Sequence, residues 1–179
     1  MILSIILSMK KALLVIDLQI CYLKLNASEA AATQAIANVN RLTEQALIDG
    51  EEVFFIQHFF ESLPEKWVLK LFFKGAGLRS DPNAIFDPRL QIRNTKILQK
   101  NTQNTFKSTN LHQLLQDSGV EEIAIVGQDG TACVQATAYG ALELGYSVKL
   151  IDKAILSASP KKWAKIKSHL LTNPRCTLV

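Results

Sequence analysis

Short apolar runs alternate with longer segments of helical spacing along this chain. The run Ala12–Ile16 has no polar position, as expected for a strand covered on both faces of a sheet. In Ser28–Asp49 the apolar residues repeat with helical spacing, while Ser28 can cap the first turn and Gly50 can end the helix. The same criteria predict further strands at Glu52–Gln57, Thr95–Leu98, Ile123–Val126, Ser147–Ile151 and Cys176–Val179, and further helices at Thr109–Ser118, Val134–Gly145 and Pro160–Leu171.

This alternation indicates the fold class. Strand–helix–strand units with short connections favour an α/β protein whose parallel sheet is covered by helices on both faces. The segment between residues 58 and 94 is the exception, because it is irregular in pattern and rich in aromatic side chains. Such side chains need cover, so we expect this segment to lie over a pocket or in a subunit interface. Its aromatic residues are Phe59, Phe60, Trp67, Phe72, Phe73 and Phe86.

Composition is that of an ordinary globular protein. Apolar residues make up 48% and charged residues 20% of the 179 positions, which is enough for one domain with a substantial core. The net charge of +4 comes from scattered lysines, so we expect no nucleic-acid partner. The widely spaced Cys21, Cys133 and Cys176 argue against a disulfide framework and favour a reducing, cytoplasmic location.

The first residues are apolar, but Lys10 and Lys11 follow them rather than precede them. A signal peptide has its positive charges before the apolar run, and a membrane-spanning helix needs about 20 apolar residues. We therefore expect residues 1–10 to form a short N-terminal extension, residues 11–179 to form one domain, and the protein to have no membrane partner.

Three reactive side chains fall where predicted strands end. Asp17 ends the first strand, Lys100 follows the third, and Cys133 lies between the Ile123–Val126 strand and a helix. Open parallel sheets bind ligands at the carboxyl ends of their strands, so we expect these groups to meet in one crevice. A helix N-terminus is expected to lower the pKa of the Cys133 thiol. Together the three groups suggest an activated nucleophile with its base, although a turn cap, a solvated lysine and a core cysteine are the structural alternatives.

Three segments of the chain resemble the isochorismatase-like cysteine hydrolases. Ala12–Gln19 resembles the opening signature of that family, Lys100–Phe106 resembles its Lys-x-x-x-Ser-x-Phe segment, and Ile125–Ala138 resembles its nucleophile segment. The similarity continues beyond the nucleophile through Gly140–Tyr146 and Asp152–Ala154. Because the motifs occur in the family's order and spacing, the resemblance is specific.

The resemblance implies a three-layer, Rossmann-like α/β fold with a six-stranded parallel sheet flanked by helices. It implies a catalytic triad of Asp17, Lys100 and Cys133. It also implies a cis peptide bond between Gln128 and Asp129, with the backbone N–H groups of Asp129 and Cys133 forming an oxyanion hole. The implied function is hydrolysis of a C–N, amide-type bond of a small-molecule substrate through a Cys133 thioester, with no cofactor.

The sequence departs from the family pattern beside the nucleophile. Gln128 and Asp129 stand where the family usually has a small apolar pair, and Gly130 stands for its Thr or Asn. Asn104 replaces the Ser of the Lys-x-x-x-Ser-x-Phe segment. A carboxylate at Asp129 would repel an anionic substrate unless the side chain points outward, so we expect an uncharged substrate.

The nicotinamidase branch of the family carries an Asp-x-His-x-x-x-x-x-His metal motif after its second strand. Here only His58 is present at the corresponding place, and the aspartate and second histidine of that motif are missing. We therefore expect no metal. We predict instead that Gln19, His58, Trp67 and Phe106 contribute to the substrate pocket.

Two other functions stay open at this point. The isochorismatase branch cleaves a vinyl ether without a nucleophilic cysteine, and the presence of Cys133 argues against that reaction. A non-catalytic module that binds a small molecule or a partner would tolerate the altered turn at residues 128–130. Because many members of the family are dimers or tetramers and aromatic residues are plentiful, we also expect a homo-oligomer.

Overall fold

The structure is a computed structural model that describes residues 9–61 and 75–179. Its strands are β1 Lys10–Ile16, β2 Glu52–His58, β3 Lys96–Lys100, β4 Val120–Gly127, β5 Ser147–Ile155 and β6 Cys176–Leu178. They form one six-stranded sheet in the order β3-β2-β1-β4-β5-β6, and every neighbouring pair is parallel. The predicted α/β fold with a six-stranded parallel sheet is therefore confirmed.

The described helices are α1 Ile20–Asn26, α2 Glu29–Ile48, α3 Thr105–Ser108, α4 Leu111–Asp117, α5 Gln135–Glu143 and α6 Pro160–Leu170. A five-residue π-helical turn, Gly130–Val134, precedes α5. The start of α2 is as predicted, because the Ser28 hydroxyl accepts a hydrogen bond from the Ala31 N–H at 3.3 Å. The short helices α1 and α3 were not predicted, since one or two turns are too short for a clear periodic pattern.

Alternate residues of β1 belong to two separate cores. Leu14 and Ile16 pack with residues of α4, α5 and α6, whereas Leu13 and Val15 pack with residues of α2. Both sets are fully or almost fully buried. Side chains point to opposite faces along a strand, so the uninterrupted apolar run of β1 follows directly from helices covering both sides of the sheet.

The order of the strands reverses between β1 and β4, with β2 and β3 beyond β1 on one side and β5 and β6 beyond β4 on the other. These two strands are neighbours in the centre of the sheet, and Ile16 pairs with Gly127 at their carboxyl ends. A Cβ at Gly127 would lie 2.1 Å from the Ile16 carbonyl oxygen, so only glycine allows this approach. Asp17 and Gln128 follow these residues directly and emerge side by side at the switch point, where open α/β sheets bind ligands.

The predicted irregular segment is described only in part. Residues 75–94 contain turns and a single bridge between Gln19 and Phe86, and the Phe86 ring packs edge-on against Phe55 at 5.8 Å. Residues 62–74, with Trp67, Phe72 and Phe73, lie outside the described residues, as does most of the predicted extension, residues 1–8. Within the described ranges, no helix combines the length and apolar character needed to cross a bilayer.

Candidate active site

Asp17, Lys100 and Cys133 come from three strand ends and meet at one buried point. Lys100 Nζ lies 2.8 Å from Asp17 Oδ2 and 3.2 Å from Cys133 Sγ. All three residues are at least nine-tenths buried. The ammonium therefore links the carboxylate and the sulfur directly, and the arrangement has the parts of a nucleophile, a base and a charge that balances them.

Electrostatics keeps Lys100 charged. Burial lowers the pKa of the Lys100 ammonium, but the negative charge of Asp17 and the hydrogen bonds to Asp17 and Cys133 more than offset that effect, so its pKa is raised overall. Lys100 also donates a hydrogen bond to the Thr102 carbonyl oxygen at 3.2 Å. Its three donors thus have three acceptors, and the ammonium is fixed in position.

The prediction that Cys133 has a lowered pKa is wrong. Burial raises the pKa of the Cys133 thiol, the negative charge of Asp17 raises it further, and the positive charge of Lys100 offsets this only in part. A helix N-terminus lowers the pKa of a thiol where water can reach it, whereas this sulfur is almost fully buried. The resting residue is a neutral thiol, and the proton must move when the sulfur reacts.

The backbone of Asp17 adopts an unusual conformation that is held from three sides. Its φ of +53° lies in the left-handed region, which asparagine and aspartate enter more readily than most residues. The Asp17 N–H donates to the Ile56 carbonyl oxygen at 3.0 Å, and the Asp17 carbonyl oxygen accepts from the Gln19 N–H and the Gln128 side chain. Within the described ranges, the buried Asp17 Oδ1 has no hydrogen-bond partner. This oxygen is the atom with free capacity to accept a proton.

The turn before Cys133 is capped by its own acidic residue. Asp129 Oδ1 accepts from the Thr131 N–H at 2.7 Å, and Oδ2 accepts from the Ala158 N–H at 3.3 Å. The carboxylate of Asp129 is therefore hydrogen-bonded to backbone N–H groups, while the residue itself lines the cavity over Cys133. The predicted cis peptide bond between Gln128 and Asp129 is confirmed. The Asp129 N–H finds no acceptor among the described residues.

Packing explains the glycine that replaces the family's Thr or Asn. A Cβ at Gly130 would lie 2.8 Å from Cδ2 of Trp163, and the Trp163 indole N–H is fixed by a 3.0 Å hydrogen bond to Asp152. The indole is thus packed directly on the turn that carries Cys133. A side chain at position 130 would displace either the indole or the nucleophile turn.

His58 is the fourth polar side chain at this point. Its Nδ1 lies 3.6 Å from Cys133 Sγ and 3.8 Å from Asp17 Oδ2, and the residue is 3% exposed. The ring packs against Phe60 with centroids 4.5 Å apart. His58 is the last residue of β2. The predicted proximity of His58 to the site is therefore observed.

A cavity of about 230 Å³ opens over these residues. Asp17, His58, Gln128 and Cys133 form its floor region, and Tyr22, Asn26, Phe60 and Gln103 are among the side chains around it. Its volume suits a small molecule. A larger hollow of about 510 Å³ lies at the amino ends of the strands, but its lining carries no thiol or histidine.

Two residues predicted for the pocket have other positions. Both N–H groups of the Gln19 amide donate to backbone carbonyl oxygens of His58 and Ala84, and its oxygen accepts the His58 N–H at 2.7 Å. Gln19 therefore holds the backbone of His58 in place and does not line the cavity. Phe106 stacks on Tyr146 with centroids 6.0 Å apart, away from the cavity. Trp67 lies outside the described residues.

The cavity also contains polar residues that the sequence did not indicate, of which Gln128 is the most buried. The signal was present in the departure from a small apolar residue at this position. Asn104, the second departure, caps α3 by accepting the Phe106 N–H at 3.0 Å. Its side chain fills space that a Cβ at Gly140 would need, since that Cβ would lie 2.4 Å from Asn104 Nδ2.

Asp17, His58 and Cys133 are close enough together to be tested as a metal site, because one atom of each lies within 4.8 Å of the others. A carboxylate, an imidazole and a thiolate are ligand types that zinc accepts. However, the Lys100 ammonium already lies within 3.2 Å of the sulfur and 2.8 Å of the carboxylate. A divalent cation in the same place would be repelled by that ammonium, so this donor set does not fit a metal.

The fold and the site together define a class of protein: a parallel α/β domain with a buried thiol, carboxylate and ammonium at its topological switch point. The family model of the isochorismatase domain matches residues 11–172. The chain therefore belongs to the isochorismatase family.

Individual relatives agree with this assignment. An uncharacterized isochorismatase family protein of Bacillus subtilis (strain 168), YddQ, is 28% identical over 148 residues, which cover 82% of this chain and 77% of that protein. Among solved structures, N-carbamoylsarcosine amidase from Thermoplasma acidophilum has a TM-score of 0.80 at 19% identity, covering 95% of both chains. The zinc complex of Pyrococcus horikoshii pyrazinamidase has a TM-score of 0.78 at 22% identity, covering 95% of this chain and 98% of its own. At these identities the structural matches establish the fold.

Proposed function

We propose that this protein is a hydrolase that cleaves a C–N, amide-type bond of a small, uncharged molecule, with Cys133 as its nucleophile. The observation that carries the proposal is the direct contact of one buried ammonium, Lys100, with both the Cys133 sulfur and the Asp17 carboxylate beneath a cavity. Similarity in fold to proteins named as amidases supports a reaction of this kind.

In the first half of the reaction, Asp17 accepts the proton of the Cys133 thiol while the sulfur bonds to the carbonyl carbon. The carbonyl oxygen becomes an oxyanion, which the backbone N–H groups of Asp129 and Cys133 are proposed to bind. The C–N bond then breaks as Asp17 returns its proton to the departing nitrogen. The products of this half-reaction are an amine or ammonia and a thioester on Cys133.

In the second half, water attacks the thioester carbon and gives a proton to Asp17. The C–S bond breaks, the carboxylic acid leaves, and the sulfur regains a proton. General acid–base help of this kind typically contributes about 10²–10⁴-fold to a rate. One carboxylate serves both halves, because Asp17 alternates between base and acid.

The raised pKa of Cys133 fits this scheme. A carboxylate, an ammonium and a neutral thiol have no net charge, and the same holds after the proton has moved from sulfur to Asp17. The transfer therefore creates no uncompensated charge in a buried site, where such a charge is costly. Lys100 contributes by staying protonated beside both partners.

His58 is proposed to guide the sulfur toward the substrate. Its Nδ1 is within 3.6 Å of Cys133 Sγ, on the cavity side of the triad. Packing of the ring against Phe60 restricts its rotation. Both rings line the cavity that holds the sulfur.

We test the proposal with a panel of small primary amides and ureido compounds, following ammonia release and the mass of the protein during turnover. Cys133→Ala is expected to lose about 10⁴–10⁶-fold in kcat with its fold intact. Cys176→Ala is the matched control, because Cys176 is an equally buried cysteine in the edge strand β6.

The outcomes separate the alternatives. Cleavage that depends on Cys133, with an acyl mass on that residue, supports the thioester route. Cleavage that survives Cys133→Ala would point to chemistry carried by Asp17 and Lys100, as in the vinyl ether alternative. Absence of any product across the panel would favour a non-catalytic binding module.

The same proposal includes a cytoplasmic homo-oligomer, a dimer or a tetramer. The edge strand β3 exposes half of the Ile97 side chain beside an unpaired strand edge, which is a feature that a second copy could cover. All three cysteines are free thiols, as expected in a reducing compartment. Sedimentation velocity tests the assembly, and a monomer at all concentrations would refute it.

A further inference from the structure

Gln128 is a buried polar residue where the resemblance leads one to expect a small apolar side chain. It is 1% exposed and lines the cavity beside Asp17 and Cys133. Its backbone N–H donates to the Ile16 carbonyl oxygen at 2.9 Å, which fixes its position at the end of β4. A buried amide in place of an apolar residue is costly unless its polar atoms are used.

The orientation of the Gln128 amide is set by its neighbour. Nε2 donates to the Asp17 carbonyl oxygen at 2.9 Å. A carbonyl oxygen can only accept, so the amide nitrogen must be the atom that faces it. The other amide atom, Oε1, is therefore assigned without ambiguity as the acceptor that remains.

Gln128 Oε1 has no hydrogen-bond partner within residues 9–61 and 75–179, and the same is true of Asp17 Oδ1. Both atoms are buried, and both residues line the one cavity. A buried acceptor without a donor typically costs about 1–3 kcal/mol. Two residues that line the cavity thus each carry a buried acceptor atom without a donor among the described residues.

We infer that Gln128 Oε1 accepts a hydrogen bond from an N–H group on the scissile nitrogen of the substrate. This inference deepens the proposed function and rests on it. Asp17 must reach the departing nitrogen to protonate it, and the Gln128 side chain is hydrogen-bonded to the main-chain carbonyl oxygen of Asp17. Because the two residues are neighbours, we assign both acceptors to the same end of the substrate. The substrate class is then a neutral primary carboxamide or ureido group, whose –NH₂ carries two N–H donors.

Charge supports a neutral donor over a cationic one. Lys100 Nζ lies 2.8 Å from Asp17 Oδ2, so an ammonium group on the substrate would face a fixed positive charge. An ester or an N,N-dialkyl amide has the reactive carbonyl group but no N–H at this position. Binding of either would leave Gln128 Oε1 buried and unpaired, which is how polar pockets reject analogues that lack a donor.

The test uses matched pairs with one acyl group, benzamide with methyl benzoate and butyramide with methyl butyrate. The readout is the ratio of kcat/KM for amide over ester. Gln128→Met keeps the length of the side chain but removes the acceptor, and we expect that ratio to fall about 5–150-fold, the equivalent of one unpaired buried acceptor. Gln128→Glu retains an oxygen acceptor and is expected to keep most of the amide preference.

A general loss of positioning gives a different result. Gln128→Met also removes the bond to the Asp17 carbonyl oxygen, and a displaced Asp17 would slow amide and ester alike, leaving their ratio unchanged. The matched control is Gln57→Met, because Gln57 is a buried glutamine whose amide bonds to Ala84 and Gln99 outside the cavity. We expect it to leave the ratio at the wild-type value.

A binding experiment tests the role of Gln128 without turnover. In Cys133→Ala protein, we expect benzamide to bind more tightly than methyl benzoate by NMR titration, and Gln128→Met to remove that difference. An unchanged ratio and unchanged binding difference in Gln128→Met would overturn the inference, as would binding of neither probe. If the wild-type protein releases no ammonia but Gln128→Met abolishes the binding preference, the proposed hydrolysis fails while the assignment of Gln128 stands.

Discussion

The Lys100 ammonium lies 2.8 Å from the Asp17 carboxylate, although both side chains are almost completely buried. Removing one partner of a buried ion pair typically costs about 3–5 kcal/mol, because the other charge is left without compensation. In this site Lys100 also contacts the Cys133 sulfur, so the proposed mechanism makes stability and activity depend on the same residue.

We predict that Lys100→Met lowers the free energy of unfolding by about 3–5 kcal/mol and abolishes turnover. Urea denaturation at neutral pH measures the stability. The control is Lys96→Met, which breaks the partly exposed 2.7 Å pair with Glu52 on the same strand and is expected to cost about 0–1 kcal/mol. Equal losses for the two variants would contradict the assignment of Lys100 as a buried, compensating charge.

Cys133 is predicted to react slowly with iodoacetamide at neutral pH. Its raised pKa leaves the buried residue as a thiol, and the thiolate is the reactive form. Peptide mapping of labelled protein from pH 6 to pH 10 measures the rate, with glutathione labelled in parallel. We expect Cys133 to stay slower than glutathione throughout. Faster labelling of Cys133 than of glutathione at neutral pH would indicate a preformed thiolate and would remove the need for Asp17 to take the proton.

Stability is predicted to decline in mildly alkaline solution. Burial raises the pKa of the Cys21 thiol to about 12, and it also raises the pKa of Cys176 and Tyr22. In the unfolded chain a thiol loses its proton near its ordinary pKa of about 8.5, so the unfolded state binds fewer protons than the folded state above that pH. The stabilising contribution of Cys21 is therefore complete below about pH 8.5 and is lost as the pH rises toward 12.

Urea unfolding of wild type and Cys21→Ala at pH 7, 9 and 10 checks this dependence. The variant loses some stability at pH 7 from lost packing with Phe59 and Ala84, but its further loss between pH 7 and pH 10 should be smaller than that of the wild type. Parallel curves would mean that Cys21 takes no part in the alkaline decline.

Asp129 is predicted to act through hydrogen bonds to the turn, not through its charge. Asp129→Ala removes the acceptors of the Thr131 and Ala158 N–H groups and should cost about 0.5–2 kcal/mol, with a fall in kcat as the nucleophile turn loosens. Asp129→Asn keeps an acceptor oxygen and should retain most of both properties. If the Asn variant instead gains activity toward anionic amides, the carboxylate repels such substrates after all.

The overall fold and the meeting of Asp17, Lys100 and Cys133 followed from the sequence because both depend on long-range order. Buried parallel strands need apolar runs, and the carboxyl ends of such strands meet at one edge, so a reactive residue after each strand is placed by topology alone. The catalytic roles of these residues stay predictions until turnover is measured. His58 was predicted for the pocket from the family's metal motif instead, and it ends β2.

Properties that depend on local packing could not be predicted in this way. Gln19 and Phe106 lie close to site residues in the sequence, but rotation about a single bond decides whether a side chain faces the cavity or the core. The direction of the Cys133 pKa shift depended on the depth of burial, which an N-terminal helix position does not reveal. The unused oxygen of Gln128 became visible only once its other contacts were known.

Gly127 links the central strands to the chemistry, since its missing side chain lets the ends of β1 and β4 meet. The missing side chain of Gly127 thus sets the distance between the strand that leads to Asp17 and the strand that leads to Cys133. Many surface positions can be substituted at little cost, whereas a side chain at position 127 would push the ends of β1 and β4 apart.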